Sequence, residues 1–134
     1  MIVFIDSNVP MYVAGRAHPN REPSMRFLEA VERKEVEACT SAEVLQEILH
    51  RYCALNRHDL AHEVYDLFVT ICPQVFDVTL ADTNHARDLL TRIHGLSARD
   101  AVHAAVMLNR GVERIATFDS GFDRVPGIRR HHLT

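Results

Sequence analysis

The sequence predicts an α/β fold, a three-layer α/β/α sandwich around a central, mainly parallel sheet of four to five strands. Three observations carry this. Short apolar runs such as Ile2 to Ile5 lack the alternation of a strand with one wet face, so both faces must be covered. Longer stretches with apolar residues at helical spacing lie between them. The two kinds of segment also take turns along the chain, as they do when helical crossovers link parallel strands. With 134 residues, 47% of them hydrophobic, the chain can bury one substantial core, and a single domain over residues 1–134 is expected. No internal repeat, linker or low-complexity segment divides it.

The first strand, Met1 to Asp6, ends in Asp6-Ser7-Asn8, and Pro10 suits the first turn of a short helix from Val9 to Ala14. After a loop from Gly15 to Arg21, a helix from about Pro23 to Arg33 sets Met25, Leu28 and Val31 on one face. Val36 to Cys39 is the second strand. Thr40-Ser41-Ala42-Glu43 then reads as a capping box opening a long helix whose apolar face is Val44, Leu45, Ile48, Leu49, Tyr52 and Leu55. The short join Asn56-Arg57-His58 makes it an antiparallel hairpin with a helix from Asp59 to Cys72, which Pro73 ends. Gln74 to Val78 is a third strand, and Leu80 to His94 a helix stopped by Gly95. A helix after Ser97 is closed by Gly111, Arg114 to Thr117 gives the fourth strand, and Ile128 to His131 is a candidate fifth at an edge.

Composition narrows the function classes. No apolar run is long enough for a membrane span or shaped like a secretory signal, so the expected location is the cytoplasm, with no membrane partner. Cys39, Cys53 and Cys72 are odd in number and widely spaced, which fits reduced thiols rather than disulfides or a zinc site. A net charge of -3 excludes a generally basic nucleic-acid binder but leaves room for a basic rim around an acidic centre.

The chemistry is expected to converge on Leu96 to Asp123. On a helical wheel the helix after Ser97 is apolar almost all round, with Arg99, His103 and Arg110 in one narrow sector and Asp100 at its edge. Ser97-x-x-Asp100 resembles a capping box, and an acid also favours the positive end of the helix dipole. The other acids point beyond capping. Asp6 directly follows the first strand and Asp119 closely follows the fourth, while ligands of open parallel sheets bind beyond the carboxyl ends of strands. The helix after the second strand offers Glu43 and Glu47. Glu43 points away from the apolar face and is accounted for by the cap, whereas Glu47 lies beside Val44 and Ile48 and is the better member of a buried cluster.

The segments IVFIDSN, TSAEVLQEIL, LSARDAVHAAVML and IATFDSGFDRVPGI, in that order and spacing, resemble the PIN-domain family, most closely the VapC-type toxins of toxin–antitoxin pairs. The resemblance spans essentially the whole chain. It implies that the family's acids fall on Asp6, Glu47, Asp100 and Asp119, with Asp123 an additional or alternative fourth acid and Asn8 or Thr117 as hydrogen-bonding supports. It further implies RNA phosphodiester hydrolysis in single-stranded or loop regions, a homodimer, and a small cognate antitoxin docking beside the acids. Clustered carboxylates need a cation, and oxygen ligands suit Mg²⁺ or Mn²⁺. Arg16, Arg21, Arg51, Arg99, Arg124 and the pair Arg129-Arg130 are candidates for holding phosphates, and Met11, Tyr12, Met25 and Leu28 for framing the antitoxin groove.

Two rival readings stand beside it. Asp6 could be an aspartyl-phosphate acceptor, although Asn8 replaces the second Asp of haloacid-dehalogenase phosphatases and Lys34 is the only lysine. The fold could also serve as a catalytically inactive RNA-binding or protein-interaction module.

Overall fold

A computed structural model describes residues 1–134. Its elements are β1 (Ile2–Ile5), α1 (Asn8–Ala14), α2 (Arg21–Glu32), β2 (Glu37–Ser41), α3 (Ala42–Ala54), α4 (His58–Ile71), β3 (Val75–Phe76), α5 (Leu80–Arg92), α6 (Ala98–Asn109), β4 (Arg114–Ala116), a 3-10 turn (Ser120–Arg124) and β5 (Arg129–His131). All strand pairs are parallel, in the order β3-β2-β1-β4-β5. The expected sandwich is therefore the fold. Third and fifth strands are shorter than the sequence suggested, because both are edges with only one neighbour to pair with.

Phe4 lies opposite Cys39 on one side and Ile115 on the other. Val3, Phe4 and Ile5 are all buried, and since successive strand residues face opposite ways, helices must cover both faces of the sheet. Helices α1, α2 and α4 touch one another, α5 packs on α6, and α3 reaches both α4 and α6. The buried apolar side chains form one contiguous core. No helix is long and apolar enough to cross a membrane. Leu28 belongs to this core, as its place on one α2 face with Val31 implied, so it does not frame the expected antitoxin groove; the opposite side of α2 faces water.

Local chemistry sets the ends of the elements. The α3–α4 hairpin turns on Asn56, whose φ of 55° lies in the left-handed region that Asn tolerates, and Arg57 N–H reaches back to the Tyr52 carbonyl. The α3 cap is Ser41, which accepts from Val44 N–H at 3.4 Å, not the Thr40–Glu43 box. Thr40 is buried and donates to the Ile5 carbonyl instead, tying β2 to β1.

The main polar tie is at Asp82. It completes a capping box with Thr79, accepts from Asn109 at 2.8 Å, and takes both Arg110 nitrogens at 3.0 and 3.1 Å. Asp82 is only 1% exposed, so this pair locks the start of α5 to the end of α6. Burial opposes its ionisation, but the Arg110, Thr79 and Asn109 hydrogen bonds win and hold the carboxyl well below the usual range. A depressed acid contributes stability above its unfolded pKa and loses it as pH falls through the folded value. Asp82→Ala should therefore cost about 3 kcal/mol at pH 7, the low end for breaking a buried pair because Arg110 keeps some water. The deficit, read by urea melts, should shrink once pH drops below the carboxylate range.

Candidate active site

The parallel order places β1 between β2 and β4, where the chain's direction of growth across the sheet reverses. The crevice beyond the carboxyl ends of strands at such a point is where open α/β sheets bind ligands. Asp6 leaves β1 there, Thr117 and Asp119 leave β4, Glu47 comes from α3 and Asp100 from the first turn of α6. These acids share one groove of about 720 Å³.

Each acid is held differently. Asp6 is 5% exposed; Ser7 N–H donates to its Oδ1 at 2.7 Å and the Thr117 hydroxyl to its Oδ2 at 2.7 Å. Asn8 bridges the two strand ends, its amide donating to Thr117 at 3.1 Å and to Asp6 at 3.4 Å. Glu47 accepts from Ser7 Oγ at 2.8 Å, bonds His103 Nε2, and has Arg99 3.8 Å away. Asp119 accepts from Gly121 N–H at 2.8 Å.

Asp100 settles the question of its capping box. Ser97 does accept from Asp100 N–H at 3.1 Å, yet the Asp100 carboxylate makes no return bond to Ser97. It turns toward Asp119 instead. A Cβ built on Gly121 would lie 3.1 Å from both Asp100 Oδ2 and Asp119 Oδ1, so glycine leaves the room in which the two acids meet.

Electrostatics follow from this crowding. Burial raises the Asp6 pKa, with His103 as the main opposing influence. Burial, then the Asp119 charge, push Asp100 up to about 6. A raised acid favours the folded state below its unfolded pKa and loses that advantage as pH rises through the folded value. Between about pH 4 and 6 the metal-free chain should lose stability from Asp100 ionising. Asp100→Asn should recover about 1–2 kcal/mol of it at pH 7.5 in EDTA, seen as a higher Tm, and the gain should vanish near pH 4.

His103 is the residue the sequence reading missed. The wheel grouped it with Arg99 and Arg110 on a polar sector, but it is fully buried. Its ring stacks near Phe122 and tilts against Phe4, with centroids 6.5 and 5.8 Å away. These walls aim Nε2 at Glu47, with Asp6 Oδ1 3.9 Å off. Burial alone would lower its pKa, but the Glu47 hydrogen bond and the charges of Asp6, Glu47 and Asp100 outweigh it and raise it. The findable signal was spacing: three residues after Asp100, His103 lies on the same side of the helix.

Other candidates fall outside. Asp123 is exposed and forms a bidentate pair with Arg130, both contacts at 2.9 Å, in a separate pocket. One turn beyond Asp119, it is carried toward β5 and away from the acids. Glu43 is half-buried and does not line the groove. Arg16, Arg51 and Arg99 do line it, whereas Arg21 donates to the Val13 carbonyl, Arg124 to the His94 carbonyl, and Arg129 and Arg130 lie in the other pocket.

The donor set fits a hard divalent cation. Carboxylate oxygens of Asp6 and Glu47 lie within 4.8 Å of one another with His103 Nε2 engaged on Glu47, Asp100 and Asp119 add carboxylates at the mouth, and the buried Asn8 Oδ1 has no partner. An aspartyl-phosphate site is not favoured, because Lys34 lies in the turn before β2, at the other end of the sheet.

Comparison with known proteins agrees with this geometry. A model of the PIN domain matches residues 3–128. A VapC ribonuclease of Mycobacterium bovis, Mb1869c, is 42% identical over 129 residues, 96% of this chain and 98% of that protein. In fold, the chain resembles VapBC2 from Rickettsia felis bound to a promoter DNA fragment (TM-score 0.79, 18% identity, all of both chains). It also resembles Mycobacterium tuberculosis VapC20, a sarcin-ricin loop cleaving toxin (TM-score 0.74, 22% identity, 92% of this chain and 93% of that one). With the family model covering nearly the whole chain and its acids gathered at the sheet's reversal point, the protein belongs to the PIN-domain family, alongside the VapC ribonucleases.

Proposed function

We propose that this protein is a divalent-metal-dependent endoribonuclease, the toxin of a toxin–antitoxin pair, working as a single PIN domain in the cytoplasm. The observation that carries the proposal is the meeting of Asp6, Glu47, Asp100 and Asp119, from four separate elements, in one groove rimmed by Arg16, Arg51 and Arg99. The ribonuclease activity of relatives 42% identical to it supports the substrate class.

Asp6, Asp100 and Asp119 would hold Mg²⁺ or Mn²⁺, with Glu47 binding directly or through water. When bound, the ion supplies Lewis-acid stabilisation of phosphate charge and makes water nucleophilic near neutral pH. The chain's own residues do the rest. Ser7, Thr117 and Asn8 fix the Asp6 oxygens, Ser7 and His103 fix Glu47, and the rim arginines hold the flanking phosphates. No side chain is required as a covalent nucleophile.

Two partners complete the proposal. Neighbouring folds include VapBC assemblies, which supports a small antitoxin as the natural inhibitor. An antitoxin segment would lie along Met11, Tyr12, Tyr52 and Leu55, beside the acids, and direct an Arg toward them. A homodimer is the proposed assembly, with exposed Leu49, Leu67, Val69 and Leu90 as apolar surface available to cover.

The experiment is cleavage of a labelled RNA pool with Mg²⁺ or with EDTA. Cleavage should require the metal, and Asp123→Asn should cut at nearly the wild-type rate. RNA cleavage that persists in EDTA would refute the reading, as would no cleavage under any condition. The second outcome would leave a binding module.

A further inference from the structure

We propose that the ring stack Phe118–Tyr12–His18 is a base-stacking platform that grips an unpaired RNA base beside the acids; this rests on the ribonuclease reading above. Tyr12 meets Phe118 edge-on, with centroids 5.3 Å apart at 82°, and its ring is tilted by 31° against that of His18, with centroids 4.7 Å apart. The stack starts at the chemistry, since Phe118 stands between Thr117, which bonds Asp6, and Asp119. It ends in water. His18 is exposed on the groove rim, and Tyr12 and His18 both line the groove that holds the acids.

Core packing accounts for the inner end of this stack but not the outer one. Phe118 packs against the core, whereas His18 is exposed and is nevertheless held in place. Asn20 N–H donates to its Nδ1 at 3.0 Å, which fixes the ring plane and leaves the proton on Nε2. A planar ring that is exposed, oriented and backed by a second ring is preorganised for another flat group.

A nucleobase is the group the surroundings favour. Beyond the one phosphate that a bound cation would hold, the acids repel the rest of the backbone, so the strand gains from a neutral handle close to the centre, with its flanking phosphates at Arg16 and Arg51. Stacking supplies that handle without reading sequence, and only unpaired bases can offer a face to it.

The test measures binding in EDTA at low salt, where nothing is cleaved. One probe is a mixed-sequence single-stranded RNA of about 12 nucleotides, within the reach of one groove. The other is the same strand with abasic sugars at its central positions. The wild type should bind the base-bearing strand about tenfold more tightly than the abasic one. His18→Ala, on an exposed side chain that the fold does not need, should lose most of that preference while keeping the abasic affinity. Tyr12→Leu should do the same and Tyr12→Phe should not.

A full preference for bases in both His18→Ala and Tyr12→Leu would overturn the platform. Loss of antitoxin binding alone in those variants would make the stack a protein-docking surface instead. These failures are distinct from failure of the ribonuclease reading, in which the wild type itself cuts no RNA with Mg²⁺ present.

Discussion

Asp6→Asn should lower RNA cleavage by on the order of a thousandfold or more while leaving the metal-free protein at least as heat-stable as the wild type. Asp6 is the most constrained acid of the centre, with Ser7 N–H on one oxygen and the Thr117 hydroxyl on the other. Asn keeps the shape, and the Thr117 hydroxyl can turn to accept from the new amide, so the fold loses little. The charge is what disappears, and burial already disfavours that charge without a cation. Activity and stability should therefore move in opposite directions. Mg²⁺ should raise the Tm of the wild type but hardly that of Asp6→Asn, because only a bound ion stabilises the folded state by mass action. Equal stabilisation of both by Mg²⁺ would contradict the assignment of Asp6 as a ligand.

His103→Leu should weaken Mn²⁺ binding and cleavage by roughly 10- to 100-fold, the cost expected for losing a residue that orients a ligand. The side chain is fully buried between Phe4 and Phe122, so Leu fits the apolar walls. What it removes is the hydrogen-bond donor that holds Glu47 Oε1 in place. His103→Gln can still donate to Glu47 and should recover much of the metal affinity. That rescue separates positioning from mere packing, since a packing role would favour Leu. A Leu variant with wild-type Mn²⁺ affinity would remove His103 from the account.

Much of this arrangement was legible in the sequence because it depends on local rules. Ile2 to Ile5 is too short for a helix and apolar throughout, so it had to be a strand covered on both sides, and the acid after it had to sit at a sheet end. The α3 wheel separated Glu47 from Glu43 because burial follows helical phase, and Glu47 is buried where Glu43 is only half so. The remainder depended on tertiary partners. His103 shares its sector with Arg99, which stays exposed, and its burial comes from partners on other elements, Phe4, Glu47 and Phe122 among them. Asp123 resembles Asp119 in sequence but is captured by Arg130 from β5, a strand too short to announce its register. The Thr40–Glu43 motif matched a capping box, yet β1 claimed the Thr40 hydroxyl first and Ser41 took the cap.

The central claim is that acids from four elements form one metal centre, and Mn²⁺ soaked into crystals of the wild-type chain tests it most directly. Anomalous difference density should appear between Asp6, Asp100 and Asp119, within reach of Glu47 directly or through one water. It should be absent in Asp6→Asn crystals soaked the same way. Density at Asp123 or at His131-His132 with none among the four acids would contradict the claim.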